Sequence, residues 1–138
     1  AMVRELTGYF AARKGDGARL VLVGDLNIAP LENDVWSHRQ LLDVVSHTPV
    51  ETDGMLAWQA AYGFVDAVRR IVPPERKLYT WWSYRNRDWA ASDRGRRLDH
   101  AWLSPALAPA LVTAEVRRDA RGWTMPSDHV PVTVELEV

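Results

Sequence analysis

The chain has 138 residues, a formal net charge of −1 at pH 7, and 47% hydrophobic against 25% charged residues. This length and composition are typical of one globular domain with a buried core. Cysteine is absent, which excludes disulfides and thiolate metal sites within the chain, and the near-neutral charge argues against general affinity for nucleic acid. No apolar run approaches the roughly 20 residues that span a bilayer, so we expect no membrane partner. The absence of cysteine is compatible with a cytoplasmic location, which we expect.

Helical patterns and one strand are predicted in the first half. Apolar residues recur at helical spacing over residues 3–14 and predict an amphipathic helix that is followed by two glycines. The apolar run 20–23 predicts a short strand buried on both faces. Two further helices are expected over residues 34–45 and 54–62, and Gly63 should end the second of them.

The periodicity changes to two in the second half. Apolar and polar residues alternate over residues 98–103, 112–116 and 132–138, which predicts three strands, the last of them half-buried. The sequence contains no internal repeat and no low-complexity segment. The predicted fold class is therefore α/β, with an α/β first half and a strand-rich second half.

Three short polar runs, each next to a strand-like stretch, occur in chain order at residues 24–27, 97–100 and 127–129. The first places Asp25 and Asn27 two positions apart, so an extended backbone would point both side chains to the same side. Ligands bind just beyond the carboxyl ends of strands in open α/β sheets. Taken alone, Asp25 and Asn27 would fit an ordinary turn. The three runs together predict a phosphodiester-cleaving active site, able to handle a metal, a water or a phosphate.

A loop rich in tryptophan and arginine lies between the first and second polar runs. Trp81, Trp82 and Trp89 are three of the seven tryptophans in the chain. Residues 85–98 contain five arginines against two aspartates, a local charge of +3. Aromatic rings interleaved with arginine can stack on bases and bind phosphates, although core packing beside a solvated loop is the simpler alternative.

Five segments of the chain resemble the exonuclease III branch of the endonuclease/exonuclease/phosphatase superfamily, which includes the abasic-site endonucleases of DNA repair. The matching segments are residues 24–30, 63–69, 79–85, 94–100 and 126–129. Each motif alone has limited specificity, but the ordered set is typical of this branch and covers almost the whole chain from about residue 3. The resemblance implies half of a four-layer α/β sandwich with mostly antiparallel mixed sheets.

The first half of the family domain supplies an Asn and a metal-binding Glu at the ends of early strands and a Tyr near the scissile phosphate. None of these has a match in this chain. We therefore expect residues 1–138 to be the C-terminal half of such a domain, with the N-terminal half absent. A second copy of the chain or the missing half is an expected partner, because the apolar residues of the last predicted strand would otherwise lie on an unpaired edge.

The resemblance also implies a role for residues of the three polar runs. Asp25 would handle the proton of the attacking water, and Asn27 would orient water or phosphate. Asp99 would hold one imidazole nitrogen of His129 at hydrogen-bond distance, while the other nitrogen donates to a non-bridging phosphate oxygen. Asp128 would bind Mg²⁺, with Mn²⁺ as an alternative ion, in the absence of the family's glutamate.

Four residues are implied in substrate binding. Trp81 and Leu98 would line a small apolar pocket that accepts a base-less sugar flipped from the duplex. Arg96 stands where some relatives have a further apolar wall. Arg85 and Arg87 would contact backbone phosphates. Core packing remains the alternative for Trp81 and Leu98, and a solvated loop remains the alternative for Arg85 and Arg87.

The activity implied by the resemblance is Mg²⁺-dependent DNA repair, with incision 5′ to an abasic site and trimming of 3′ ends by water attack on phosphorus. Duplex DNA with abasic sites or 3′ ends would be the substrate, and the isolated chain would be impaired because the glutamate is missing. Two alternatives stay open. One is another superfamily enzyme that acts on inositol phosphates, sphingomyelin or undamaged DNA. The other is a catalytically inert fragment that binds DNA through the loop rich in tryptophan and arginine.

Overall fold

The computed structural model describes residues 2–138 and shows an α/β fold, as the sequence predicts. The helices are α1 (Met2–Ala11), α2 (His38–Leu41), α3 (Pro49–Tyr62), α4 (Ala67–Ile71) and α5 (Trp89–Ser92). The strands are β1 (Val21–Asp25), β2 (Val65–Asp66), β3 (Asp99–Leu103), β4 (Leu111–Val116) and β5 (Val132–Leu136). Short 3₁₀ turns occur at Glu32–Asp34, Ala108–Ala110 and Arg118–Gly122. None of the helices within residues 2–138 is long and apolar enough to cross a bilayer.

The strands form two antiparallel sheets. One sheet has the order β1-β3-β2, and the other pairs β4 with β5. In the first sheet Val21 lies opposite Leu103 and Asp25 lies opposite Asp99, so the last residue of β1 meets the first residue of β3. This register brings the first two polar runs of the sequence to the same end of the sheet.

The largest apolar cluster lies between α1, α3 and the three-stranded sheet. Met55, Trp58 and Tyr62 of α3 meet Trp102 of β3 there, together with partly buried side chains of α1. The rings of Trp58 and Trp102 approach edge to face with 4.8 Å between centroids, a geometry that aromatic pairs prefer. The first predicted helix is confirmed, and burial of its apolar face against α3 explains its position.

Local signals set both ends of α3. Gly63 adopts a left-handed conformation with φ of 86°, and its N–H bonds to the Gln59 carbonyl at 3.1 Å, which ends the helix where the sequence predicts. The helix begins earlier than residue 54, at Pro49. Proline suits the first helical position, and the Glu51 carboxylate accepts the Thr48 hydroxyl at 2.7 Å beside that end.

Strand β1 is not buried on both faces, which corrects the prediction for residues 20–23. Leu20 and Leu22 pack against the apolar cluster, whereas Val21 is 47% exposed and Val23 is 66% exposed. The cause is that Val21 and Val23 point to the other face of the sheet, which borders an open groove toward β5 instead of a packed layer. An apolar run therefore marks a strand here, but only one of its faces belongs to the core.

The predicted helix over residues 34–45 is wrong. Only the 3₁₀ turn Glu32–Asp34 and the four-residue α2 form there, because Val35 is extended with φ of −133° and ψ of 155°. The Asp34 carboxylate is fully buried and binds the guanidinium groups of Arg69 and Arg97. Long-range ion pairing of one side chain outweighs the local helical pattern at this point.

The last strand finds a partner within the chain, since β5 pairs with β4 along one edge. Val134 and Leu136 are half-buried and pack against a cluster that includes Leu103, so the predicted apolar strip is covered in part by the fold itself. The strand ends at Leu136, and Val138 beyond it is exposed. A groove of about 490 Å³ separates β5 from the exposed valines of β1 and reaches Asp25 and Asp99.

Candidate active site

The first polar run forms a tight turn at the end of β1. The N–H of Asn27 donates to Oδ1 of Asp25 at 3.0 Å, and Asn27 adopts a left-handed conformation with φ of 54°. The backbone therefore turns at Asn27. The expectation of an extended backbone that points the Asp25 and Asn27 side chains to the same side is not met. Pairing of the Leu26 N–H with the Leu98 carbonyl holds this turn against the start of β3. Asp25 keeps its second carboxylate oxygen, Oδ2, directed toward His129.

Asp99 and His129 form the predicted pair. Nδ1 of His129 lies 2.8 Å from Oδ2 of Asp99, within the expected hydrogen-bond range. On the opposite side of the ring, Nε2 lies 3.6 Å from Oδ2 of Asp25. One ligand atom each from Asp25, Asp99 and His129 lies within 4.8 Å of the others. The three polar runs thus meet at one place.

The environment of His129 favours its charged form. Partial burial alone would lower the pKa of the imidazole. The hydrogen bond to Asp99 and the charges of Asp99, Asp25 and Asp128 outweigh burial and raise that pKa above its usual value. A proton therefore remains on both ring nitrogens over a wider pH range than in an isolated histidine.

Thr80 is a site residue that the sequence reasoning missed. Its buried hydroxyl donates to Oδ2 of Asp99 at 2.6 Å and accepts the N–H groups of Leu98 and Asp99 at 3.0 and 3.1 Å. The only sequence signal was its place inside the matching segment 79–85, because a lone threonine carries no motif of its own. The hydroxyl fixes the orientation of the Asp99 carboxylate.

Asp128 lies beside the three-residue cluster but not within it. Its Oδ2 accepts the indole N–H of Trp81 at 3.0 Å, and its backbone carbonyl accepts the N–H of Trp82 at 3.0 Å. Trp81 also forms backbone bridges to His129 and to Arg96. The tryptophan-rich segment therefore positions residues 127–129 against the end of β3.

The donor atoms around this cluster suit a divalent cation. Asp25 and Asp128 offer carboxylate oxygens, which are the ligands that Mg²⁺ and other hard cations prefer. Asp99 and His129 already bond to each other, so they are better described as a fixed pair than as two open ligands. The carboxylates that remain open to a cation are therefore those of Asp25, within the cluster, and of Asp128 beside it.

The predicted substrate-binding residues lie in two different environments. Leu98 is 6% exposed and packs with Ala29, Val35 and Leu41, as the core-packing alternative expects. Trp81 is half-buried, contacts the same cluster with part of its surface, and lines an open groove with the rest. A ligand in the groove could therefore contact Trp81 directly, whereas Leu98 lies in the core behind it.

That groove has a volume of about 500 Å³ and is lined by aromatic and cationic side chains. The guanidinium of Arg96 lies 5.4 Å from the Trp81 ring, and that of Arg94 lies 4.6 Å from the Trp36 ring. Arg85 is exposed on the groove wall. Arg87 is exposed as well but does not line the groove.

A buried ion-pair network supports the start of β3. Arg97 donates to Asp34 at 2.8 Å and to Asp66 at 2.7 Å, and Arg69 donates to the same Asp34 carboxylate at 2.6 Å. Burial tends to raise the pKa of Asp34, but Arg97 and Arg69 outweigh it and hold that pKa below its usual value. Asp66 and Arg69 therefore have a structural role in holding the start of β3.

Comparison with known proteins agrees with this geometry. A model of the endonuclease/exonuclease/phosphatase family matches residues 1–129. The DNA repair nuclease APEX1 of Danio rerio is 37% identical over 119 residues, which cover 86% of this chain and 36% of the relative. Exodeoxyribonuclease III of Haemophilus influenzae is 28% identical over 142 residues, which cover 96% and 51%. An AP endonuclease structure from Archaeoglobus fulgidus superposes with a TM-score of 0.91 at 28% identity and covers 99% of this chain and 52% of that chain.

The chain spans about half or less of the length of the curated relatives it matches. The family match nevertheless contains all three polar runs, including residues 127–129. The same three runs converge in the structure around Asp25, Asp99 and His129. On these grounds the chain belongs to the endonuclease/exonuclease/phosphatase family.

Proposed function

We propose that this chain carries the Asp–His part of the active site of a DNA-repair phosphodiesterase of the exodeoxyribonuclease III type. The observation that supports this most directly is the place of His129, 2.8 Å from Asp99 and 3.6 Å from Asp25. Nδ1 of the ring is hydrogen-bonded to Asp99, whereas the distance from Nε2 to Oδ2 of Asp25 is too long for a hydrogen bond. Nε2 therefore remains able to donate to a substrate oxygen.

Four side chains suit hydrolysis of a phosphodiester. The Asp25 carboxylate accepts a proton from the attacking water, and Asn27 orients that water or the phosphate. His129 donates its Nε2–H to a non-bridging phosphate oxygen, and its positive charge offsets the negative charge that develops there. Asp99 keeps the ring protonated and oriented throughout. The water oxygen bonds to phosphorus while the bond from phosphorus to the 3′ oxygen of the preceding nucleotide breaks, and that 3′ oxygen takes up a proton from solvent.

The metal that we propose is Mg²⁺, with Mn²⁺ as a substitute. Asp128 would hold the ion through carboxylate oxygen, and the indole N–H of Trp81 keeps that carboxylate in place. When bound, the ion would neutralise charge on the phosphate and help to orient it. Asp128 contributes to binding only and takes no proton from the water in this scheme.

The substrate that we propose is duplex DNA that contains an abasic site or a 3′ end. Trp81 would contact a base-less sugar through the surface that lines the groove, and the buried Leu98 would support this wall from the cluster against which Trp81 packs. The exposed Arg85 and Arg87 would contact backbone phosphates. The names of the relatives support DNA as the substrate class, since they include a DNA repair nuclease, an exodeoxyribonuclease and an AP endonuclease.

The test is an incision assay on end-labelled duplex DNA that contains one stable abasic analogue. With Mg²⁺ we expect slow cleavage 5′ to the analogue, far below the rate of a complete family enzyme, and loss of cleavage with EDTA. Replacement Asp25→Asn should lower the rate by about 100-fold or more, because it removes the proton acceptor. The matched control Asp53→Asn changes an exposed aspartate of α3 and should leave the rate unchanged.

Two outcomes would contradict the proposal. Incision that persists in Asp25→Asn would show that this carboxylate does not manage the proton of the water. Tight binding of the abasic duplex without incision at any Mg²⁺ or Mn²⁺ concentration would instead support the alternative of an inert DNA-binding fragment.

A further inference from the structure

A loop directly before the third polar run exposes large apolar side chains. Met125 is 94% exposed and Trp123 is 52% exposed, and both lie within six residues of His129. Tyr84, 59% exposed, belongs to the neighbouring loop, and its hydroxyl donates to the Pro126 carbonyl at 3.0 Å. Single exposed apolar residues are common on proteins, but three on two linked loops beside a candidate active site call for an explanation.

The backbone of this loop is held in an unfavourable conformation. Met125 has a φ of 50°, in the left-handed region that residues with a side chain rarely adopt. The loop is tied down on both sides, by the N–H of Trp123 to the Ala120 carbonyl and by the Tyr84 hydroxyl to Pro126. Such strain persists where the surrounding structure enforces it, and it concentrates at functional positions. The exposure of Met125 is therefore a feature of a fixed loop.

Cationic side chains surround the exposed apolar ones. The guanidinium of Arg117 lies 5.5 Å from the Trp123 ring, and that of Arg121 lies 5.2 Å from the Tyr84 ring. Residues 117–123 carry three arginines against one aspartate, but Arg117 pairs with Asp119, Arg118 pairs with Asp93, and Arg121 is 5% exposed. Exposed positive charge beside Tyr84 comes instead from Arg85 and Arg87. Apolar and aromatic side chains among arginines favour a polyanion that also presents flat apolar faces, which is the chemistry of nucleic acid with unstacked bases.

We propose that Tyr84, Trp123 and Met125 form a wedge that contacts unstacked bases next to the scissile phosphate. The wedge rests on the proposed function for the choice of DNA as ligand, but it is separate from the groove lined by Trp81 and Arg96. Stacking of one base on Trp123 and insertion of Met125 beside it would hold the duplex open near His129. Intact, fully stacked DNA offers no such base faces, so the wedge would favour duplexes whose stack is interrupted.

The test measures binding in EDTA, so that cleavage cannot interfere. Labelled duplexes with one abasic analogue opposite 2-aminopurine, and matched intact duplexes, are titrated with the 138-residue chain. Trp123→Ala and Met125→Ala should each weaken binding of the interrupted duplex about fivefold or more, the size expected for loss of one base contact, and change intact-duplex binding by less than about twofold. The 2-aminopurine emission should fall when the chain binds and should fall less with Trp123→Ala.

Matched controls lie on α1, away from the wedge. Tyr9 is 51% exposed with the Arg13 guanidinium 3.6 Å from its ring, which resembles the setting of Trp123, and Met2 is 65% exposed. Tyr9→Ala and Met2→Ala should bind both duplexes as the parent chain does. Trp123→Tyr should retain most of the binding, which separates loss of a base contact from loss of folding.

The outcomes distinguish the wedge from the function on which it rests. If the parent chain binds interrupted duplex and the Trp123→Ala and Met125→Ala chains bind it equally well, the wedge is wrong and the proposed function stands. If the parent chain binds no DNA at all, both fail. If binding weakens equally for intact and interrupted duplexes, the loop contacts the backbone only, and the assignment of base contacts is overturned.

Discussion

Thr80 donates its hydroxyl hydrogen to Oδ2 of Asp99, the same oxygen that accepts Nδ1–H of His129. The direction of this hydrogen is fixed, because the threonine oxygen already accepts the backbone N–H groups of Leu98 and Asp99. Thr80 therefore links the backbone of β3 to the side-chain pair that we propose for catalysis. The orientation of the Asp99 carboxylate is set before any substrate arrives.

Replacement of this hydroxyl should cost stability. In Thr80→Val the N–H groups of Leu98 and Asp99 lose their acceptor in a buried place, so we expect a loss of about 2 kcal/mol in the free energy of unfolding. Thr80→Ser should lose much less, because it keeps the oxygen. Urea denaturation measures both, and Thr113→Val at an exposed position of β4 is the matched control. Equal stability of the Val and Ser variants would contradict the role of the hydroxyl.

The protonation of His129 should depend on Asp99. The structure raises the pKa of His129 because the Asp99 bond and nearby carboxylates outweigh partial burial. Asp99→Asn should therefore lower that pKa, and the charged ring should be lost at a lower pH than in the parent chain. Imidazole NMR titration reads the shift directly. Asp119→Asn, in an exposed pair with Arg117, should leave the titration of His129 unchanged.

Acid should destabilise the fold through His100. Burial, with a further contribution from the charge of Arg97, lowers the pKa of His100 from 6.5 to about 4. Its Nε2–H donates to the Ile28 carbonyl, while its buried Nδ1 has no partner within residues 2–138. Between pH 6.5 and pH 4, His100 binds a proton in the unfolded chain but not in the folded chain. The free energy of unfolding should therefore fall as the pH drops through this range, by about 3 kcal/mol in total.

The variant His100→Gln should flatten this dependence, since glutamine can donate to the Ile28 carbonyl but does not titrate. The measurement is the urea-derived free energy of unfolding at pH 7 and at pH 4.5 for both chains. An unchanged difference between the two pH values in the variant would assign the acid sensitivity to other groups.

The buried Asp34 should be among the most costly positions to change. It accepts Arg69 at 2.6 Å and Arg97 at 2.8 Å, so Asp34→Asn removes the counter-charge of the buried Arg69 and leaves the buried Arg97 with Asp66 alone. We expect a loss of about 3–5 kcal/mol in unfolding free energy by urea titration. The control Asp119→Asn removes one partner of the exposed pair with Arg117 and should cause no measurable change. Similar values for the two variants would show that the network contributes little.

The exposed valines of β1 should promote association of the isolated chain. Val21 and Val23 lie on an edge strand, beside the groove that separates β1 from β5. Sedimentation velocity should show a dimer or larger species at high concentration, and Val23→Lys should shift it toward monomer. Val50→Lys, at an 85% exposed position of α3, should have no such effect. A monomer at all concentrations would mean that these valines tolerate water without a partner.

The sequence predicted elements whose signals are local. The end of α3 at Gly63 and the alternation in β3, β4 and β5 were recognisable because turn chemistry and period-two patterning act over a few residues. For these parts, local pattern and final structure agree. The pairing of Asp99 with His129 is not a local signal, and it is expected only from the resemblance of the ordered motifs to the family.

The remaining features depend on contacts between distant residues. Asp34 breaks a helical pattern because it binds Arg97, 63 positions away. Val23 looks like a core residue until the structure shows that its face of the sheet borders an open groove and not a packed layer. Thr80 has no motif, and its importance follows only from the atoms that its hydroxyl meets. Met125 acquires its significance from a backbone angle that no periodicity encodes.

The buried ion pairs of Arg97 should suppress local opening at the start of β3. Arg97 precedes Leu98 and Asp99, whose amide hydrogens are bonded to Thr80, so the first residues of β3 can release these hydrogens to solvent only when the core itself opens. Their deuterium uptake should therefore be as slow as global unfolding allows. The amides around Met125 should exchange orders of magnitude faster, because they lie in an exposed loop outside the core, although hydrogen bonds at Trp123 and Pro126 hold the conformation of that loop.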